Sequence, residues 1–329
     1  MTVSQDWREQ LRRITQGNQG GNRPRRQEAS DAQRRQTSRQ RGDQGGRGSD
    51  GGPSRGSSPT ISGVRPVYGN GLTEVFHDGR VPPGSNSGLI YDRYVAIWSG
   101  APSWKPADPV RRQFLDDVVK LARQEKQRVG PLLKALHERR NQLWQSQGAR
   151  RLELSLTSPL VSGVGMTHPL TAGFVWDRNL GVPYMPGSSL KGAVRAWANP
   201  EQWGALEDGD FKRIFGKMED TGAGSVVFHD LYPIEPPRLR VDLVNPHFKD
   251  YYQDGAPPGD WLEPEPAFFL TVAAGTRFVT ALHPRAGAHS DDLELATRCL
   301  REALENMGLG AKTAVGYGRF LLADGNGTG

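Results

Sequence analysis

The chain has 329 residues, a formal net charge of +6 and one cysteine, Cys299. That length allows one large domain or two smaller ones, and a lone cysteine excludes both an intramolecular disulfide and a cysteine-based zinc cluster. No apolar run approaches the ~20 residues of a membrane span and no signal-peptide core is visible, so a cytoplasmic protein without membrane contact is expected.

Charge is unevenly distributed. Residues 1–60 hold 12 Arg, no Lys and 6 acidic groups, and residues 109–151 hold 11 basic against 4 acidic. Residues 152–329 reverse the balance, with 15 basic against 22 acidic. Basicity confined to a tail and one internal segment suits nucleic acid or an acidic partner, and does not choose between them.

Residues 1–65 read as a disordered Arg/Gly/Gln-rich tail, because 15–63 carry too little apolar surface to offset chain entropy. Arg-Gly pairs at 41–42, 47–48 and 55–56 suit an RNA-associated or a merely solubilising tail. Ahead of them Trp7, Leu11 and Ile14 have the spacing of a short docking helix. Residues 66–149 form an extension with two basic helices. Asp108 and Pro109 open the first, and Val110, Phe114, Val118, Leu121 and Ala122 make its apolar stripe. Gly130-Pro131 is read as the break, with Leu132, Leu133, Leu136, Leu143 and Trp144 resuming beyond it. The outer face carries Arg111, Arg112, Lys120, Arg123, Lys126 and Arg128, the pattern of a solvated face or of a partner surface.

Residues 150–323 change pattern. Residues 151–156 alternate as a strand, 188–198 make a short helix, and 225–231 a second strand. Residues 267–282 read as a strand pair turning near Gly275, 291–307 as an amphipathic helix holding Cys299 inward, and 314–322 as a last strand. The fold class is therefore α+β, a ferredoxin-like β-α-β-β-α-β domain. Residues 250–265, with five carboxylates and no basic group, read as an exposed insertion, and 324–329 as a flexible end.

Two segments carry chemistry. In Pro186-Gly187-Ser188-Ser189-Leu190-Lys191-Gly192-Ala193-Val194-Arg195, Ser188 or Ser189 is expected to cap the helix, and Lys191 and Arg195 lie i, i+4 on one face. Free N–H groups and paired cations suit a phosphate run; a capped core helix with two solvated cations is the plainer alternative. The second segment is Gly308-Leu309-Gly310-Ala311-Lys312-Thr313-Ala314-Val315-Gly316-Tyr317-Gly318-Arg319-Phe320. Its glycines can wrap a phosphate chain, with Lys312, Arg319 and Thr313 as donors and Tyr317 as a stacking ring. A glycine-rich turn feeding an edge strand explains the same residues. A nucleotide P-loop does not, because Ala311 stands where its glycine is required and the preceding element is helical.

In this combination and order, the two segments resemble the RAMP superfamily of CRISPR effector proteins. With Asn245-Pro246-His247-Phe248 and Tyr251-Tyr252 upstream, residues 150–322 are most similar to the sixth-subunit family of type III-B Cmr complexes. The resemblance implies a non-catalytic, RNA-binding structural subunit of an RNA-guided antiviral complex. It would contact CRISPR RNA near the 3′ end, lie close to target RNA and pack on other Cmr RAMP subunits, with no cofactor or metal. The residues implied in RNA binding are Gly187, Ser188, Ser189, Lys191, Arg195, Gly308, Gly310, Lys312, Thr313, Gly316, Tyr317, Gly318, Arg319 and His168. Some RAMP relatives cleave RNA with a histidine, so His168 leaves open a metal-independent endoribonuclease. A protein-only scaffold is the third reading. His229-Asp230 and Asp177-Arg178 are weaker candidates for a metal or cleavage site and are read as structural.

Overall fold

The computed structural model describes residues 81, 84–98, 108–170, 172–216, 222–245 and 266–323. The Arg-rich tail, the 7–14 docking helix, residues 246–252 of the upstream motif, the 250–265 insertion and the C-terminal residues 324–329 lie outside these.

Three helices precede the first strand: α1 (Ser87–Arg93), α2 (Asp108–Gln124) and α3 (Lys126–Ser146). Phe114, Leu115, Val118 and Leu121 of α2 are buried, as the apolar stripe requires. The break falls at Glu125, however, and α3 runs through Gly130-Pro131. The proline sits in the second turn of α3, where its missing N–H removes one bond of the ladder, and the helix continues through it. Glu125 is 5% exposed. Its carboxylate accepts the Ser87 N–H at 2.9 Å and the Arg128 guanidinium at 2.5 Å, so it ties the helix junction to the start of α1. Only Val129, Leu133 and Trp144 of α3 are buried, while Leu132 and Leu143 face outward.

The strands follow as β1 (Arg150–Leu156), β2 (Trp176–Asp177), β3 (Val182–Pro183), β4 (Val226–Phe228), β5 (Tyr232–Pro233), β6 (Leu239–Val244), β7 (Ala267–Val272), β8 (Arg277–Pro284) and β9 (Phe320–Leu322). Helices α4 (Gly187–Ala198) and α5 (Asp208–Phe215) lie between β3 and β4, and α6 (Asp292–Asn306) between β8 and β9. The main sheet has the order β4-β8-β1-β9 with β5 also on β8, and every pairing is antiparallel. The turn at Gly275 (φ +82°) is present, but the strands on either side of it do not pair with each other. β7 pairs with β6 in a separate two-stranded sheet, and β8 joins the main one. The reason lies in the crossing: Leu156 accepts from the Gly275 N–H and donates to the Thr276 carbonyl, which transfers the chain from one sheet to the other. The last strand starts at Phe320 because Thr313–Val315 form a single 3-10 turn.

Period-two alternation in β1 places Leu152, Leu154 and Leu156 on one face, beside Phe278 and Leu282 of β8. Leu190 and Val194 of α4 and Ala296, Leu300 and Leu304 of α6 cover that face. Trp144 of α3 covers the opposite one, against Val279 and Ala281. Cys299 is fully buried in this packing, and burial pushes its thiol up to about 11, far from reactive range. Each such buried leucine contributes roughly 1.5–3 kcal/mol of transfer free energy.

Candidate nucleic-acid interface

The start of α4 differs from the expected serine cap. Pro186 occupies the N-cap with φ −58° and ψ 141°, and no side chain at that position bonds the helix. Gly187 lies so close to β4 that a Cβ would collide with the Phe228 carbonyl oxygen. Asp230 supplies the cap from outside: its Oδ1 accepts the Gly187 N–H at 2.7 Å. A carboxylate there also complements the positive end of the helix dipole. Both serines are exposed, which leaves their hydroxyls on the surface.

The glycine-rich loop is held by its own backbone. Leu309 donates to the Gly318 carbonyl at 2.8 Å, Ala311 to Val161 at 2.7 Å, and Gly318 to Pro159 at 2.8 Å. Side chains at Gly310 or Gly318 would collide with the Val161 and Leu309 carbonyls, so these glycines serve close approach first. Lys312 has φ 59°, the one positive-φ non-glycine among the described residues. Its ammonium lies 5.2 Å from the Phe269 ring centroid. The N–H groups of Gly310, Lys312, Thr313 and Ala314 carry no internal partner among the described residues. Tyr317 is not a free stacking ring. Its hydroxyl donates to Asp242 Oδ2 at 2.8 Å and its ring lies beside Phe269 at 6.3 Å. Burial and Asp242 push its hydroxyl up to about 12. Arg319 likewise turns onto the loop, donating to the Glu305 carbonyl at 3.4 Å and the Thr313 carbonyl at 3.5 Å.

The two segments meet. With residues 162–166 they enclose a cleft of about 610 Å³, lined in part by Ser189, Gly308, Gly310 and Thr313 and free of carboxylates. Gly187 and Gly318 are buried supports of this arrangement, and Gly316 (φ +93°) stands open at the loop tip. Lys191 and Arg195 are elsewhere. Pro186, Ser189 and Ala193 line the cleft, whereas Gly192, Arg195 and Asn199 line a separate groove between α4 and α5. Arg195 lies over the Phe211 ring at 5.4 Å. The i, i+4 spacing puts Lys191 and Arg195 on one face of α4, and burial, then Arg195 and Arg285, lowers the Lys191 ammonium. None of Lys191, Arg195 and Lys312 lines the cleft itself; Lys312 lies between its lining residues Ala311 and Thr313.

His168 is locked away from the cleft. Its Nδ1 accepts the Leu170 N–H at 3.2 Å, which leaves Nε2–H to donate to the Tyr91 carbonyl at 3.0 Å. Its ring stacks on Tyr91 at 4.3 Å, and burial lowers its basicity. Asp177 is equally committed: Oδ1 accepts from the Asn179 and Leu180 N–H groups and Oδ2 from the Tyr232 hydroxyl at 2.7 Å. His229 pairs with His283, Nε2 to Nδ1, at 2.8 Å. Among the described residues no three His, Cys, Asp or Glu side chains converge as metal ligands.

Sequence reasoning missed Asp230 as a cap, the Phe269–Asp242 support under the loop, and Met166, Met185 and Met307 in the cleft wall. The methionines had a faint signal, since each directly follows or precedes a glycine-bearing motif.

A family model for the RAMP superfamily matches residues 153–321. This chain belongs to the RAMP superfamily. Both chemistry-bearing segments fall inside the matched RAMP region. Among curated RAMP relatives, the CRISPR system Cmr subunit Cmr6 of Pyrococcus furiosus is 32% identical over 50% of this chain and 65% of its own length. The Saccharolobus solfataricus Cmr6 is 29% identical over 46% of this chain and 49% of its own length, so the chain spans from about half to just under two thirds of these relatives. The fold is similar to a chain of a type III-B Cmr-beta cryo-EM structure bound to cognate target RNA. That TM-score is 0.53 at 23% identity, covering 77% of this chain and 86% of that one. Among the described residues no RAMP helix is long and apolar enough to cross a membrane.

Proposed function

We propose that this RAMP protein is a non-catalytic, RNA-binding structural subunit of a type III-B CRISPR effector complex. It holds CRISPR RNA near the 3′ end, lies beside target RNA and packs on neighbouring Cmr RAMP subunits. The observation that carries the reading is the convergence of the α4 start and the glycine-rich loop on one cleft without carboxylates. Backbone N–H groups and serine and threonine hydroxyls at such a cleft, with Lys312 in the same loop, hold a phosphate chain in register without reading its sequence. The strand order β4-β8-β1-β9, with α4 and α6 as crossovers, supports a ferredoxin-like domain as the platform. Support for a non-catalytic role comes from His168 and Asp177, whose polar atoms are engaged with backbone groups and the Tyr232 hydroxyl.

The test is RNA crosslinking and target cleavage by the reconstituted complex, comparing wild type with Lys312→Glu and Lys191→Glu. Guide crosslinks to this subunit are expected to fall with Lys312→Glu while the other subunits still cut. Undiminished crosslinks in both variants would leave the protein-only scaffold as the better reading.

A further inference from the structure

The cleft has a floor unlike its rim. Met166, Met185 and Met307 all line it, three of the five methionines in the sequence and every one among the described residues. Met166 is 51% exposed, so it is not a core filler. It is nevertheless held in place: its N–H donates to the Gly163 carbonyl at 2.9 Å, and a side chain at Gly173 would press on its Cβ. Thioethers are polarizable, make favourable contacts with aromatic rings and adapt to shape. The rim is polar, with the Ser189 and Thr313 hydroxyls and the N–H groups of Gly310 and Thr313, which have no internal partner among the described residues, in the loop that bears Lys312. A volume of about 610 Å³ lies within the roughly 300–1,000 Å³ of ligand pockets. An apolar, soft floor beneath an anion-favouring rim fits a planar aromatic group that carries a phosphate.

Resting on the RNA-binding reading above, we propose that this cleft receives one unstacked nucleobase of the bound strand. The base lies on the three methionines and its phosphate meets the loop N–H groups. Methionine offers no directional hydrogen bond, so the pocket accepts any base. It sets the register of the strand by burying one nucleotide, and the unstacking is offset by thioether contact and desolvation of the base.

The experiment uses the full chain and a single-stranded RNA in which each position in turn is made abasic, together with crosslinking through 4-thiouracil. One abasic position is expected to weaken binding roughly tenfold, the size of one good sulfur–aromatic contact. The matching 4-thiouracil should crosslink to peptides containing Met166, Met185 or Met307. Ala193→Phe, which fills the cleft, and Met166→Glu, on an exposed residue that leaves the core intact, should each abolish the sensitivity to the abasic position. Binding that is equally strong with every abasic RNA overturns the base pocket and leaves the RNA-binding reading standing. Failure of the chain to bind RNA at all removes both. Crosslinking of a 4-benzoylphenylalanine at position 166 to a neighbouring subunit in the assembled complex would overturn the base pocket in favour of a protein-docking cleft.

Discussion

Asp230 Oδ1 accepts the Gly187 N–H at 2.7 Å, so a carboxylate 43 residues downstream caps the helix that opens the RAMP motif. The same residue's carbonyl accepts from the Arg140 guanidinium, which lies over the Trp144 ring at 4.6 Å and the Tyr232 ring at 4.9 Å. One residue thereby couples the helical extension to the start of α4. Asp230→Ala is expected to cost ~1–2 kcal/mol, the range of a lost helix cap, read as a lower melting temperature. Asp230→Asn keeps an acceptor and should recover most of it. Equal losses in both would mean that the charge matters more than the hydrogen bond.

The loop glycines divide by what surrounds them. Gly318 has φ +71° and no room for a Cβ against the Leu309 carbonyl, whereas Gly316 has φ +93° and open space. Gly316→Ala should therefore cost only the left-handed backbone penalty of ~1–2 kcal/mol. Gly318→Ala adds a backbone collision and should cost distinctly more, with loss of RNA crosslinks at the loop. Comparison of the two melting curves checks this directly.

Both ring nitrogens of His168 bond backbone groups. His168→Phe keeps the ring against Tyr91 but loses both backbone hydrogen bonds, with an expected destabilisation of ~1–3 kcal/mol. RNA affinity at a temperature where the variant is folded should be unchanged. A cleavage activity of the isolated chain that vanishes in His168→Phe would instead establish the endoribonuclease reading.

The His229–His283 pair gives a pH dependence with a definite sign. Burial, the other histidine and Arg140 lower His229, and burial with Arg285 lowers His283, while Asp230 acts weakly the other way. Groups whose folded-state value lies below the ordinary 6.5 stabilise the fold above it, and that contribution is lost as pH falls through the folded values. The melting temperature should decline on acidification from pH 7 toward 5. His229→Gln should flatten that decline. An identical slope in the variant would assign the acid sensitivity to other groups.

Tyr317 donates to Asp242 across a distance of 75 residues and thereby fastens the loop to β6. Tyr317→Phe retains the ring beside Phe269 and should cost ~1–2 kcal/mol, with faster hydrogen exchange at the loop amides. A variant that loses guide crosslinks without loss of stability would show that the hydroxyl touches RNA.

The sequence by itself determined the helices over 110–122 and 291–307 and the strand over 151–156, because periodicity there reports a buried face directly, but not the helices Ser87–Arg93 and Asp208–Phe215 or the strand Leu239–Val244. It also located both chemistry-bearing segments, since glycine, serine and basic residues without carboxylates stand out in an acidic surrounding. Pro131 misled because α3 continues through it, while at the actual break the Glu125 carboxylate binds Ser87 of another helix, a contact that local spacing does not reveal. The partition of β7 and β8 between two sheets, the Asp230 cap and the Tyr317–Asp242 tie all join residues remote in the chain. Helix geometry then sent Lys191 and Arg195 away from the cleft that Ser189 enters. The meeting of three methionines beneath the glycine-rich loop was likewise decided only by tertiary packing, because local spacing carries no information about which distant side chains share a wall.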